Sequence, residues 1–296
     1  MTKALVTGAT GFIGKAVVKA LLDLDWEVHS IVRGGCQERK LENVQSHPYY
    51  GDIGSMIAAV KTSKPDVVFH LASFFTAEHV SYDIDELVQS NILFPSHLAE
   101  AMAVTNVTKL VNTGSSWQHC KETRAYQPQN LYAATKQAAE DIYKYYHDTK
   151  ELSLITLKLF DTYGPADPRK KLVSILLDAA RTEKPISLSP GEQCIDLLHV
   201  GDVAQAYVLA GTHLFGLRAI NESYLLGGTR LSIRELVTTI DQISGKTIKA
   251  NWGERPYRNR EIMVPVLPYN LPTWEPKIEL REGLREAYQR GYDEQP

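Results

Sequence analysis

The spacing of the glycines near the N-terminus constrains this chain more than any other feature. Thr7-Gly8-Ala9-Thr10-Gly11-Phe12-Ile13-Gly14 follows a short apolar run, Ala4-Leu5-Val6. It leads into Phe12 to Leu24, where Ile13, Val17, Val18, Leu21 and Leu22 recur at helical spacing. Gly8 permits a tight turn, Gly11 lets the backbone approach a pyrophosphate, and Gly14 lets the helix pack closely on the strand. The free N–H groups and positive dipole end of the helix then attract phosphates. Three spaced glycines are a weak signal alone and a strong one at the first strand–helix junction of a βαβ unit. The candidate cofactor contacts here are Gly8, Thr10, Gly11, Phe12, Ile13 and Gly14.

The rest of the first half repeats strand and helix. Strands are expected at Glu27 to Val32, Gln45 to Tyr50, Asp66 to Leu71, Lys109 to Thr113 and Leu152 to Phe160. Helices are expected at Ser55 to Lys61, at Asp83 to Val104 with a bend at Pro95, and at Asn130 to Lys150. Helix-length connections require parallel strands and right-handed crossovers. The expected fold is α/β, a Rossmann-type doubly wound parallel sheet with a smaller C-terminal substrate-binding region. The dinucleotide-binding part is assigned to 1–163 with 195–227, and the substrate region to 164–194 with 228–296. A last helix is expected at Leu280 to Arg290.

Composition excludes several classes. A net charge of -3 gives no reason to expect nucleic acid or an anionic membrane as partner. Cys36, Cys120 and Cys194 lie far apart, so neither a disulfide framework nor a metal site is expected. No apolar stretch reaches membrane-span length and no secretory leader is legible, which points to the cytoplasm.

Functional residues should follow strand ends. Arg33 ends the second strand, where an acidic residue suits NAD and an arginine suits the 2′-phosphate of NADP. With Gly34 and Gly35 beside it, Arg33 favours NADP over NAD. Asp52, with Ile53, either meets an adenine or caps the next helix. Leu71, Ala72 and Ser73 offer small groups and backbone to a ribose. Tyr132 and Lys136 stand four apart on a helix and share a face. A nearby ammonium stabilises phenolate, so the tyrosine pKa is expected to fall toward working pH. Ser115 ends the preceding strand and reaches the same substrate oxygen.

Together, Gly8-x-x-Gly11-x-x-Gly14, Asp52, Leu71-Ala72, Asn91, Ser115, Tyr132-Ala-Ala-Thr-Lys136 and Tyr163-Gly164-Pro165 resemble the extended short-chain dehydrogenase/reductase family, its sugar-nucleotide epimerase/dehydratase group. The resemblance implies Tyr132 as general acid/base, Lys136 as its partner and cofactor-ribose anchor, and Ser115 as donor to the reacting oxygen. It implies Asn91 as support, with Arg258 and Arg260 at the sugar-nucleotide pyrophosphate. It also implies a homodimer built on the helix from Asp83 and the helix of Tyr132. The departures matter as well. Ser116-Trp117 follows Ser115 where dehydratases carry an acidic pair, which argues against dehydration. Asp161 and Ile195 stand where many members have asparagine and arginine, so Ser116, Asp161, Arg169, Lys170 and Lys171 become candidate substrate or phosphate contacts. The Asp161 segment, Gly191-Glu192-Gln193 and Arg260-Glu261-Ile262-Met263 resemble 4-keto-sugar-nucleotide reductases of the CDP-abequose and CDP-paratose synthase kind. The expected reaction is NADPH-dependent reduction of a 4-keto deoxysugar nucleotide in carbohydrate biosynthesis. The alternatives are a 4-epimerase and a non-catalytic NADP-binding regulator.

Overall fold

A computed structural model describes residues 1–35, 41–120 and 123–293, and the expectation that Cys36 joins no disulfide or metal site lies outside them. The first half runs β1 (Lys3–Thr7), α1 (Phe12–Leu22), β2 (Glu27–Arg33), β3 (Val44–Tyr49), α2 (Ile53–Ser63), β4 (Val67–His70), α3 (Asp83–Val88), a π-helical turn Gln89–Leu93, α4 (Phe94–Val104), β5 (Lys109–Ser115), α5 (Leu131–Lys150) and β6 (Ser153–Leu159). The second half runs β7 (Asp161–Tyr163), α6 (Leu172–Thr182), β8 (Ile186–Leu188), β9 (Cys194–His199), α7 (Val200–His213), β10 (Asn221–Leu226), β11 (Thr229–Ser232), α8 (Ile233–Ser244), β12 (Ala250–Trp252) and α9 (Leu280–Asp293).

Seven strands form one parallel sheet in the order β10-β6-β5-β4-β1-β2-β3. This is the expected Rossmann sheet. Its central strands are apolar on both faces because helices cover both. Ala4, Val6, Val67, Phe69, Val111, Ile155 and Leu157 point toward α1 and α7. The alternate residues Leu5, Val68, Leu110 and Leu154 point toward α2, α4 and α5. Burying each of the larger side chains stabilises by about 1.5–3 kcal/mol, above the spread of strand propensity.

One helix and several element ends differ from expectation. The helix expected from Asp83 to Val104 is not one α-helix bent at Pro95. It passes through the π turn at Gln89–Leu93, and Pro95 follows directly as the second residue of α4. The segment from Ile195 divides. Its strand, β9, pairs with β7 and antiparallel β11 in a separate three-stranded sheet. Its helix, α7, packs on the main sheet, and β10 joins that sheet beside β6. The remaining differences are at ends: α2 starts at Ile53 because Asp52 caps it, and α5 starts after the cap Asn130. No helix among the described residues is long and apolar enough to cross a membrane.

Close packing of α1 on β1 depends on Gly14. A Cβ there would stand 2.0 Å from the Gly8 carbonyl oxygen. Gly14→Ala is therefore expected to lower stability by about 1–3 kcal/mol, read as a lower urea midpoint. An unchanged midpoint would contradict this packing.

Candidate active site

A cleft opens where the strand order reverses, beyond the carboxyl ends of β1 and β4. It is lined by Gly8, Gly11, Phe12, Ile13 and Gly14 from the first turn, and by Leu71, Ser73 and Phe75 after β4. Ser115, Ser116, Trp117 and Tyr132 form another wall, and Phe160, Asp161, Thr162, Arg169 and Lys171 close it. Most of the residues singled out from sequence thus meet in one place.

The first turn suits a dinucleotide phosphate. Gly8 has φ +71, and a Cβ on it would lie 2.7 Å from the Ala72 nitrogen. Gly11 caps α1 without a side chain, leaving the first-turn N–H groups to a ligand. Thr10 lies half-buried in that turn. Arg33, Asp52 and Ile53 stand apart from this cleft, at the β2–β3 edge. The Arg33 side chain is 83% exposed and lies 3.6 Å from Glu86. Asp52 caps α2, its Oδ1 accepting the Ser55 N–H at 2.8 Å, and that bond holds its carboxyl below the usual range.

Asn91 is buried within the π turn. Its Oδ1 accepts from Ser73 Oγ and the Phe74 N–H, both at 2.9 Å. Its Nδ2 donates to the Phe74 carbonyl at 2.9 Å and to Thr135 Oγ1 at 3.0 Å. One amide therefore ties the loop after β4 to α5 beside Tyr132. π turns recur at functional sites, and this one aims a side chain that regular α geometry would place differently.

Ser115, Tyr132 and Lys136 are all buried. The expected fall in the Tyr132 pKa is not found. Burial pushes the phenol up to about 12, and the Ser73 hydroxyl and Arg169 guanidinium pull against it. Lys136 is itself short of solvation: burial brings it down to about 8, with the Glu140 carboxylate opposing. Ser115 Oγ accepts the Trp117 N–H at 3.3 Å.

The candidate phosphate contacts separate. Arg169 stacks on Phe12 at 4.3 Å and donates to Asp167 and Thr162. Lys171 sits 4.8 Å over the Phe75 ring and 3.7 Å from Asp161. Arg258 and Arg260 do not line the cleft. Arg258 lies 3.8 Å from Glu78, and Arg260 donates to the Pro128 carbonyl at 2.8 Å.

Sequence reasoning missed the aromatic wall and the polar layer behind the site. Phe75 packs on Trp117 and Tyr132 with centroids 5.5 and 5.0 Å apart. Behind Ser115, Gln118, Glu140 and Lys158 form a buried network. The available signal was Glu140, one helical turn beyond Lys136 on the face of Tyr132.

With this geometry established, the comparisons with known proteins decide the relationship. The model of the NAD dependent epimerase/dehydratase family matches residues 4–227. The chain belongs to this family. It is accordingly an NAD(P)-dependent enzyme of the extended short-chain dehydrogenase/reductase type. It is similar to a CDP-abequose synthase of Yersinia pseudotuberculosis, 24% identical with 90% of this chain and 93% of the relative covered. It is 26% identical to a UDP-glucuronate 4-epimerase of Thermodesulfobacterium geofontis, covering 95% and 93%. Among solved structures it resembles the Thermus thermophilus UDP-glucose 4-epimerase in complex with NAD, with a TM-score of 0.84, 26% identity, and 99% of this chain and 100% of that one covered.

The buried lysine gives a stability prediction. Its folded-state pKa lies below the unfolded value, so the buried charge costs most below about pH 8 and nothing once both states are neutral. Lys136→Met should therefore stabilise the ligand-free protein by about 1–3 kcal/mol at pH 7. The gain should shrink as pH rises from 8 toward 10.5. Urea unfolding at pH 7 and pH 9.5 checks this, and a gain independent of pH would contradict it.

Proposed function

We propose that the protein reduces the 4-keto group of a nucleotide-diphosphate-linked deoxysugar with NADPH. The observation that carries this reading is the wall beside Ser115. Ser116 and Trp117 follow it, with Phe75 packed on Trp117 and Tyr132. Asp161 is the one carboxylate among the described residues lining the cleft, and it is paired with Lys171. An elimination of water needs both an acid and a base there. A ketone reduction needs one proton donor and a donor to the forming oxyanion. An aromatic wall offers few partners to sugar hydroxyls, which suits a deoxysugar. The similarity to CDP-abequose synthase supports the same reading and a CDP-linked substrate.

Gly8, Gly11, Phe12, Ile13 and Gly14 would hold the pyrophosphate, and Leu71, Ala72 and Ser73 the ribose side. Asn91 supports that loop. Asp52 and Ile53 would face the adenine, and exposed Arg33 the 2′-phosphate, which supports NADP over NAD. Bound NADPH supplies the hydride. Tyr132 gives its proton to the forming alkoxide, and the phenol is already in the required neutral form at pH 7. Ser115 donates a hydrogen bond to the same oxygen. Lys136 anchors the nicotinamide ribose and, once the site is filled, offsets negative charge left on Tyr132. Ser116, Asp161, Arg169 and Lys171 would meet the sugar and its phosphates. Arg258 and Arg260 reach the distal phosphate only if their segment moves inward from its contacts with Glu78 and Pro128. The division into a dinucleotide part, 1–163 with 195–227, and a sugar-nucleotide part belongs to this reading. So do a cytoplasmic location and a homodimer through the face where Ile84, Val88 and Leu93 are exposed. The similarity to 4-epimerases favours epimerisation as the second reading.

Tyr132→Phe is expected to lower kcat by about 10²–10⁴-fold with stability retained. The pH profile separates the two readings. Reduction uses the phenol, so its rate should stay flat across neutral pH. Oxidation of the alcohol, the first step of epimerisation, uses phenolate and should climb with pH. Turnover that rises steeply from pH 6 to 9, or that survives Tyr132→Phe, would sink the proposal. Arg33→Ala should raise the NADPH KM about tenfold or more and leave NADH use unchanged.

A further inference from the structure

We infer that Arg169 is a cofactor-binding residue, its guanidinium reaching the dinucleotide diphosphate at the first turn from the second half of the chain. This rests on reading that turn as the cofactor's phosphate site. Among the described residues lining the cleft, only Arg169 and Lys171 are cationic. They stand close in sequence, yet they lie on different walls. Lys171 Nζ is 4.8 Å over the Phe75 ring and 3.7 Å from Asp161, on the side where Phe75 packs against Trp117 and Tyr132. The Arg169 guanidinium is 4.3 Å over the ring of Phe12, which directly follows Gly11 and opens α1. Gly164 lets the loop after β7 come this close, since a Cβ there would already stand 3.4 Å from Phe12 Cζ.

The guanidinium is held by one edge. Nε and Nη2 donate to the two carboxylate oxygens of Asp167, at 2.7 Å each. Nη2 also donates to the Thr162 carbonyl and hydroxyl, at 3.0 and 3.1 Å. Asp167 is buried, its side chain 8% exposed, so this anchor is fixed. Stacking on Phe12 sets the plane of the fork. Nη1 has no acceptor among the described residues. Its two N–H groups are left for a ligand beside the first turn of α1, whose own N–H groups Gly11 leaves uncapped. A diphosphate offers acceptors to both sets at once. Asp167 neutralises much of the charge at the held edge, so Arg169 acts here through directed hydrogen bonds more than through long-range attraction. The diphosphate of the sugar nucleotide is then left chiefly to Lys171.

Isothermal titration calorimetry of the purified protein tests this without turnover. The probes are NADPH, NADH and whichever of CDP, UDP, GDP and dTDP binds most tightly. Arg169→Gln should raise the Kd of NADPH and of NADH by about tenfold each, because the diphosphate is common to both, and that of the nucleoside diphosphate by less than about threefold. Lys171→Gln should do the reverse. Arg169→Lys keeps a charge beside Asp167 but loses the fork, and should weaken both cofactors by about threefold or more. It also decides the matter if Arg169→Gln does not fold. Unchanged cofactor affinity in either folded Arg169 variant overturns the inference. So does equal weakening of the cofactors and the nucleoside diphosphate, which is what a residue that merely holds the loop would give. Cofactor binding weakened as stated, in a protein that reduces no 4-keto sugar nucleotide, upholds Arg169's place and overturns the ketoreductase reading instead.

Discussion

Thr7 Oγ1 accepts the main-chain N–H groups of Leu71 and Ala72 at 3.2 and 3.1 Å, directly beside a glycine whose missing methyl lets the two strand ends touch. This contact between the ends of β1 and β4 is the constraint on which the rest of the site depends. It sets the crevice at the point where the strand order reverses. It also starts the loop that carries Ser73 and Phe75 across to Tyr132. Asn91 then locks the far side of that loop to α5. A β1–β4 gap wider by one methyl group would displace the phosphate end and the aromatic wall together.

Within this frame, desolvation governs the chemistry. Burial favours the neutral form of Tyr132 and also weakens the charge on Lys136. The ligand-free protein therefore holds a proton on the phenol, where a ketone reduction would need it. The negative charge of Glu140, one turn further along α5, opposes the loss of charge on Lys136. The elements from β7 onward complete the cleft: Arg169 and Lys171 lay their charges on Phe12 and Phe75, joining the second half of the chain to the first.

Much of the fold was legible because its signals are local. Parallel strands buried on both faces read as apolar runs, and Asn130, Asp52 and Gly11 announce their helices. The π turn was not legible, because the pattern of apolar residues from Asp83 to Val104 survives one extra residue in a turn. The placing of β9 was not legible either: whether Cys194–His199 joins the main sheet depends on partners far along the chain. At the site, the glycines, Ser115, Tyr132 and Lys136 could be found from spacing. The direction of the Tyr132 shift could not, since it depends on how completely the site is buried. Gln118 and Lys158 carry no motif and act only through where the sheet places them.

A net reductase consumes reduced cofactor, and an epimerase does not. Purified protein mixed with NADPH or NADH and 4-keto sugar nucleotides on CDP, GDP, dTDP and UDP, followed by absorbance of the reduced nicotinamide, measures this directly. Loss of one NADPH per ketone reduced, with NADH much slower, is the predicted result. Interconversion of sugar epimers with no net loss of NADPH would contradict it.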